Sequence, residues 1–490
     1  MTPAGSSNVV RSVRRGVPAA LGLALLLAAC TVGPNYTRPP SSIPEKFIEQ
    51  PPGRRIASRA YDEAWWKTFH DTTLDALIAS ALANAPDLQI ARARVLEARA
   101  EGAAVSGELL PQVSADGAYA RQHGSQNVPT GTPPGGLGPG VGSNLWLAGF
   151  DASWELDLFG GTRRAIESAD ASVAAQVADR EESELVLAAE VARNYIVFRT
   201  EQRQLSIALD TLNLRRDTLR LTMAQFDSGL AAALDPIRAR AEVADSEAEV
   251  PLLEVDMRSS MYRLGVLVGR NPESLGAELN NPRAIPEAHD DVPVGLPSDL
   301  LRRRPDIRAA ERRLAAANAR IGVREADLYP HLSLTGVGGF ESLEAASLVT
   351  APSHYFAIGP SISWSVFDAN RIRDDVLAER ARRDVAAAQY QKSILTALAD
   401  VETALVAYGK SEVRRNALQR EVQASQAAVE QAQRLYASGL ENFLTVLEAE
   451  RSLQGSRMSL ALAEGNRANS YVSLVKALGG QWDTEPPPKP

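Results

Sequence analysis

The 490-residue chain has a single cysteine, five histidines and only 6% aromatic residues. Nowhere does it hold the 18 or so consecutive apolar residues that a membrane-spanning helix needs. One cysteine, Cys30, excludes a disulfide framework and a cysteine-ligated zinc site. His70, His123, His289, His331 and His354 are scattered, with no His-Glu-x-x-His and no pair at helical spacing. His289-Asp290-Asp291 reads as a solvated turn in a proline-rich stretch. Neither a Gly-x-Ser-x-Gly elbow nor a dinucleotide fingerprint after a strand occurs. The expectation is therefore no enzyme: no catalytic residues, no metal ligands and no cofactor. With 52 Lys+Arg against 60 Asp+Glu the net charge is −8, which argues against a nucleic-acid partner. The 45% hydrophobic content excludes wholesale disorder. If the mature chain crosses a membrane, it must do so with strands.

What is present begins at the N-terminus. Arg11, Arg14 and Arg15 precede an uncharged run from Val17 to Ala29, the layout of a secretory signal. The run closes on Leu27-Ala28-Ala29-Cys30, which resembles the lipobox of bacterial lipoproteins, with Cys30 as the lipidated residue. Removing residues 1–29 takes three arginines and no acids, lowering the net charge from −8 to −11. Thr31 stands where lipoproteins of the inner membrane typically carry Asp, so the resemblance implies sorting to the outer membrane.

The rest of the chain is written twice. Pro86-Asp87 and Pro111 recur 219 residues later as Pro305-Asp306 and Pro330. Farther on the offset becomes 210, pairing Ser153-Trp154 with Ser363-Trp364, Ser228-Gly229-Leu230 with Ser438-Gly439-Leu440, and Gly269 with Gly479. The change falls in residues 124–143, whose seven glycines and four prolines read as loop. Each copy reads helix, strand, loop, strand, long helix, tight turn, helix. The organisation expected is a signal at 1–29, a Pro-rich tether at 30–60, a first repeat at 61–280, a linker at 281–298, a second repeat at 299–480 and a Pro-rich tail at 481–490.

From Thr162 to Phe226 there are 65 residues without Gly or Pro, and from Ala369 to Ser438 there are 70 with only Gly409. At 1.5 Å per residue each helix is about 100 Å long. Recurrent alanines, such as Ala188, Ala192, Ala427 and Ala428, favour a coiled-coil-like array. The strand pairs are expected at about 111–159 and 330–367. In Phe150–Leu158 apolar residues alternate with Asp151, Ser153, Glu155 and Asp157. Phe356, Ile358, Ile362, Trp364 and Val366 form the matching apolar side of Phe356–Val366. Such two-sided strands suit a barrel with lipid outside and water inside. Four strands per chain do not close a membrane barrel, which needs about eight or more. Two copies supply eight strands and three supply twelve; periodicity does not choose.

Gly33-Pro34-Asn35-Tyr36 after the lipobox, Trp65-Trp66 near Phe69, Ser153–Gly160 and the run Val294-Gly295-Leu296-Pro297-Ser298-Asp299-Leu300-Leu301-Arg302-Arg303-Arg304-Pro305-Asp306-Ile307 together resemble the outer-membrane factors of tripartite efflux pumps. More narrowly, the chain is similar over about residues 30–480 to the OprM and NodT-type lipoproteins, relatives of TolC. That resemblance implies an α+β membrane protein: a homotrimer whose twelve strands form one transmembrane β-barrel in outer-membrane lipid, continued by a long α-helical coiled-coil barrel in the periplasm. The implied partners are a periplasmic adaptor and an inner-membrane RND-type transporter, and the implied function is export of drugs or other small molecules. Ducts for type I secretion or heavy metals, or a lipid-tethered structural coiled coil, are the alternatives.

The resemblance also implies roles for residues. Ser228, Gly229, Leu230, Ser438, Gly439 and Leu440 match the adaptor-docking tips. Leu444, Thr445 and Glu448 match the turn that closes the periplasmic aperture, with Leu444 in the apolar ring and Glu448 in the acidic one. Asp235 and Tyr436 match positions that hold the entrance closed. Glu441 replaces the basic partner found in TolC, so Arg238 and Arg240 become the candidates for the latch.

Overall fold

The computed structural model describes residues 31–40, 43–49, 64–123, 142–288 and 296–480. The expected signal, Cys30, loop residues 124–141, His289 and the tail lie outside them. In chain order the main elements are α1 (Thr72–Asn84), α2 (Pro86–Gly107), β1 (Gln112–His123), β2 (Gly142–Leu156), α3 (Gly161–Asp227), α4 (Leu234–Leu267), α5 (Pro305–Ala326), β3 (His331–Ser342), β4 (His354–Ser363), α6 (Arg371–Ala437) and α7 (Phe443–Ala477). Both α3 and α6 are 67 residues long. None of the described helices is apolar enough to cross a membrane.

The chain divides into two compact units that each draw on both repeats. One comprises Met1–Pro39, Leu96–Ala175 and Glu311–Gln389; the other comprises Pro40–Val95, Gln176–Ala310 and Tyr390–Pro490.

The first unit holds one antiparallel sheet in the order β1-β2-β3-β4. Its register sorts the two kinds of side chain onto opposite faces. Val113, Ala152, Gly336 and Ile358 stand in one row across the strands, and Gln112, Ser153, Thr335 and Gly359 in a row of the other face. Val113, Phe150, Phe356, Ile358 and Ile362 are exposed. A face this apolar, covered by none of the described residues, belongs in lipid rather than in water. Both strand pairs begin directly after a proline: Gln112 opposite Ser153 after Pro111, and His331 opposite Ser363 after Pro330. Proline has no N–H for the ladder. β4 consequently ends at Ser363, and Trp364 and Val366, expected on its apolar side, lie beyond it. Likewise β2 ends at Leu156, short of Asp157 and Leu158, and starts at Gly142, inside the expected loop.

The helices leave this sheet through aspartate caps. Asp157 accepts from the N–H groups of Thr162 (3.2 Å) and Arg163 (2.9 Å) at the start of α3. Asp368 accepts from Ile372 (2.9 Å), while Ala369 and Asn370 take left-handed φ values of 55° and 69°. The second long helix therefore begins at Arg371 rather than at 369.

The start of the segment expected to be a Pro-rich tether is docked, from Thr31 to Tyr36. Arg164, 5% exposed, donates to the carbonyls of Val32 (3.0 Å) and Gly33 (3.1 Å) and to the Asn35 amide oxygen (2.8 Å). Gly33 has φ +88°, and a Cβ there would sit 2.4 Å from the Cα of Gly322. Tyr36 donates to Glu311 at 2.7 Å.

In the second unit the helices are tied by buried polar groups. Arg304 of the Leu-Leu-Arg-Arg-Arg-Pro-Asp run donates to both Asp306 oxygens (3.0 and 2.8 Å), to Asp400 of α6 (3.2 Å) and to the carbonyl of Ala477 that ends α7 (3.0 Å). The run is thus a structural knot between helices. Arg199 is fully buried, donating to Tyr195 (3.0 Å), Gln202 (2.6 Å) and the carbonyl of Asn281 (2.9 Å). Tyr195 donates to Asp71, the cap of α1, at 2.7 Å. Burial foremost, and then that carboxylate, push the Tyr195 hydroxyl up to about 12.

Candidate functional site

The site lies in the second unit, where α3 turns into α4 and α6 turns into α7. Both turns have the same chemistry. Gly229 (φ +76°) donates to Phe226 at 2.9 Å and Leu230 to Gln225 at 2.9 Å. Gly439 (φ +71°) donates to Tyr436 at 3.0 Å and Leu440 to Leu435 at 2.9 Å. Each pair of bonds is a Schellman motif, in which a left-handed glycine lets the chain satisfy the last helical carbonyls. Ser228 and Ser438 bond back to Ala224 (2.8 Å) and Arg434 (3.2 Å). Leu230 and Leu440 are 79% and 73% exposed, so the turns present apolar side chains that none of the described residues covers.

Asn442 caps α7 by accepting from the Thr445 N–H at 3.1 Å, and the Thr445 hydroxyl donates to Glu441 at 3.1 Å. Phe443, Val446 and Leu447 turn inward, into a cluster with Ala239, Ala432 and Tyr436. Leu444 and Glu448, four residues apart, are left exposed together on the outer face of the same two turns. Tyr436 packs on Phe443 with ring centroids 5.6 Å apart. Its hydroxyl is buried with no hydrogen-bond partner among the described residues. Burial and then the facing Asp235 carboxylate raise its pKa.

The two arginine candidates for the latch are not brought together with Asp235. Arg238 and Arg240 are both exposed and make no ion pair among the described residues. α4 turns Pro236 and Ala239 inward and these arginines outward.

Other residues join the helices instead. Arg215 of α3 is 4% exposed. It donates to the Ser246 hydroxyl (2.6 Å) and the Glu242 carbonyl (2.9 Å) of α4, and to Gln454 of α7 (2.7 Å). It also pairs with the Glu242 carboxylate at 3.2 Å. Arg451 of α7 holds the same carboxylate. Thr218 donates to Glu450 at 2.7 Å, and Gln433 of α6 donates to the same oxygen at 3.0 Å. Burial raises the Glu450 pKa against the lowering effect of these two donors. Charged residues read as solvated in a sequence, which is why this cluster was missed. The available signal was spacing: Phe443, Val446, Leu447, Glu450 and Gln454 share one helical stripe, as do Thr211, Arg215, Thr218 and Thr222.

A polar-and-apolar sheet with two free edges, paired 67-residue helices and left-handed glycine tips are here found in one duplicated chain, and the sequence comparisons agree with this architecture. The sequence model of the outer membrane efflux protein family matches twice, over residues 77–270 and 296–480. This chain belongs to that family.

Among its relatives, nodulation protein T of Rhizobium leguminosarum bv. trifolii is 32% identical over 465 residues, covering 94% of this chain and 96% of that protein. The toluene efflux pump outer membrane protein TtgC of Pseudomonas putida is 30% identical, covering 94% of each. The solved structure of the outer-membrane channel OprN superimposes with a TM-score of 0.84 at 36% identity, over 92% of this chain and all of that one. The family consists of channel proteins that span the outer membrane and extend into the periplasm. As a member of this efflux family the chain is an outer-membrane exit channel, and β1 to β4 are its membrane strands.

Proposed function

We propose that three copies of this chain form the exit duct of a tripartite pump that expels small organic molecules. The observation that carries the reading is the sheet: β1 and β4 are free edges, and its apolar face is uncovered. Pairing β4 of one copy with β1 of the next removes every edge, and three copies make a closed twelve-stranded wall. An inner-membrane RND-type transporter loads the duct, and a periplasmic adaptor docks on the tips at Ser228-Gly229-Leu230 and Ser438-Gly439-Leu440. Leu444 and Glu448, repeated around the axis, form an apolar ring and an acidic ring at the periplasmic entrance, with Thr445 bracing the same turn. The acidic ring favours cations over anions. Cys30 carries the lipid that anchors the mature N-terminus in the outer membrane. Toluene pumps among the relatives support apolar or amphiphilic cargo.

The test is accumulation of a fluorescent efflux dye in cells lacking the gene, with and without the gene on a plasmid. Retention that rises on deletion and falls on complementation is the expected result. Equal retention in both strains counts against export of such compounds.

A further inference from the structure

Leu444 and Glu448 sit on the first turns of α7, and so does the group that fastens those turns from within. Glu450 is 3% exposed and takes its short bond from Thr218, on α3. One turn farther, Gln454 accepts from Arg215 of α3 and donates to Glu249 of α4 at 2.8 Å. Arg215 is itself held to α4 through Ser246, itself 2% exposed, and through Glu242. Two bonds thus run from α3 to the start of α7, beside the ties that α4 makes through Glu249 and Glu242. Beside these polar ties the contact is apolar: Leu219 and Leu221 lie against the cluster of Phe443, Val446 and Leu447. Apolar contacts tolerate sliding, whereas breaking the buried Thr218–Glu450 bond by sliding leaves the Thr218 hydroxyl unpaired and Glu450 with Gln433 alone.

We infer that Thr218 and Arg215 are positioning residues that hold the aperture-bearing turn of α7 in its closed place, through Glu450 and Gln454. They touch no cargo and line no ring; they act only through α7. The tie lies within one copy and runs from α3 to α7. It is therefore distinct from the Asp235 and Tyr436 pair near the tips. This inference rests on the reading of Leu444 and Glu448 as the aperture.

The experiment is single-channel conductance of the purified oligomer in planar bilayers, with Leu444→Ala as the reference for an opened aperture. Thr218→Val is nearly isosteric and deletes only the hydroxyl; Thr218→Ser keeps it. The expected result is a higher conductance for Thr218→Val, reflecting a roughly fivefold shift toward open channels for one lost bond, with Thr218→Ser behaving as the parent. A Thr218→Val channel that stays closed while Leu444→Ala opens overturns the tie and spares the aperture. If Leu444→Ala does not open either, the aperture reading itself fails and takes the tie with it. A lower oligomer dissociation temperature with unchanged conductance also overturns it, because a structural role alone produces that result. Should Thr218→Val not assemble, Gln454→Met, which removes the acceptor of Arg215 at a half-buried position, decides the matter by the same conductance criterion.

Discussion

Trp154 donates its indole N–H to the carbonyl of Leu109 across 2.8 Å, and Trp364 repeats the bond to Leu328 across 3.2 Å. Both acceptors lie two residues before the proline that starts a strand. Each indole therefore pins the descending helix to the sheet where the ladder can no longer do so. Trp154→Phe keeps most of the apolar surface and loses the donor. The expected cost is about 1 kcal/mol for each bond, seen as a few degrees off the thermal dissociation of the detergent-solubilised oligomer, with Trp364→Phe alike. Losses that differ widely between the two would show that the repeats do not share this joint.

At the aperture, Leu444→Ala and Glu448→Ala are each expected to raise single-channel conductance, because one widens the apolar ring and the other relieves the carboxylates facing one another. Glu448→Gln should lower the preference for cations with little change in pore size. Reversal potential in asymmetric salt measures the selectivity. Unchanged values for all three substitutions would remove both residues from the gate.

Two glycines test close approach against backbone conformation. A Cβ on Gly465 would lie 2.2 Å from the Thr200 hydroxyl oxygen, which is buried and bonded to the Ile196 carbonyl at 2.8 Å. Gly465→Ala is expected to cost on the order of 1–3 kcal/mol by overpacking. Gly229 has open space around it but φ +76°, so Gly229→Ala should cost about 1 kcal/mol from the backbone alone. Removing the obstacle with Thr200→Ala should ease the first substitution and leave the second unaffected, as read by chemical denaturation.

Glu201 supplies a pH dependence. Burial foremost, then the nearby Asp256, push its carboxyl up to about 7, against a hydrogen bond from Ser260. One of its oxygens is buried without a hydrogen-bond partner among the described residues. Because the folded pKa lies above the ordinary 4.5, the fold favours the protonated form. The contribution to stability is complete below that ordinary value and is lost as the pH rises through about 7. Thermal dissociation should therefore move upward between about pH 8 and about pH 5, and Glu201→Gln should flatten that part of the profile. A profile equally steep in the variant would assign the effect to another group.

The elements that depend on near neighbours in the chain were legible in it. Unbroken stretches without Gly or Pro dictated α3 and α6 to within a residue or two, because helix hydrogen bonds close over four residues. Ser-Gly-Leu marked both tips, because a left-handed residue at a helix end is a local demand for glycine. Alternation along Phe150–Leu156 revealed two unlike faces, since neighbouring side chains of a strand point oppositely. The spacing of four also placed Leu444 and Glu448 on one face, where the structure has both exposed.

Only the tertiary structure decided which charges are buried and what they hold. Arg215, Glu242 and Glu450 resemble any solvated helix residue until four helices close around them, at which point each must find a partner across that packing. The same closure turned Arg238 and Arg240 outward and made a structural knot of Arg304, and packing within the first unit docked Thr31–Tyr36 through Arg164. Partners such as Thr218 and Glu450 lie 232 residues apart in the chain. Local sequence dictates hydrogen bonds over a turn of helix, whereas a bond over that distance depends on how the helices come together.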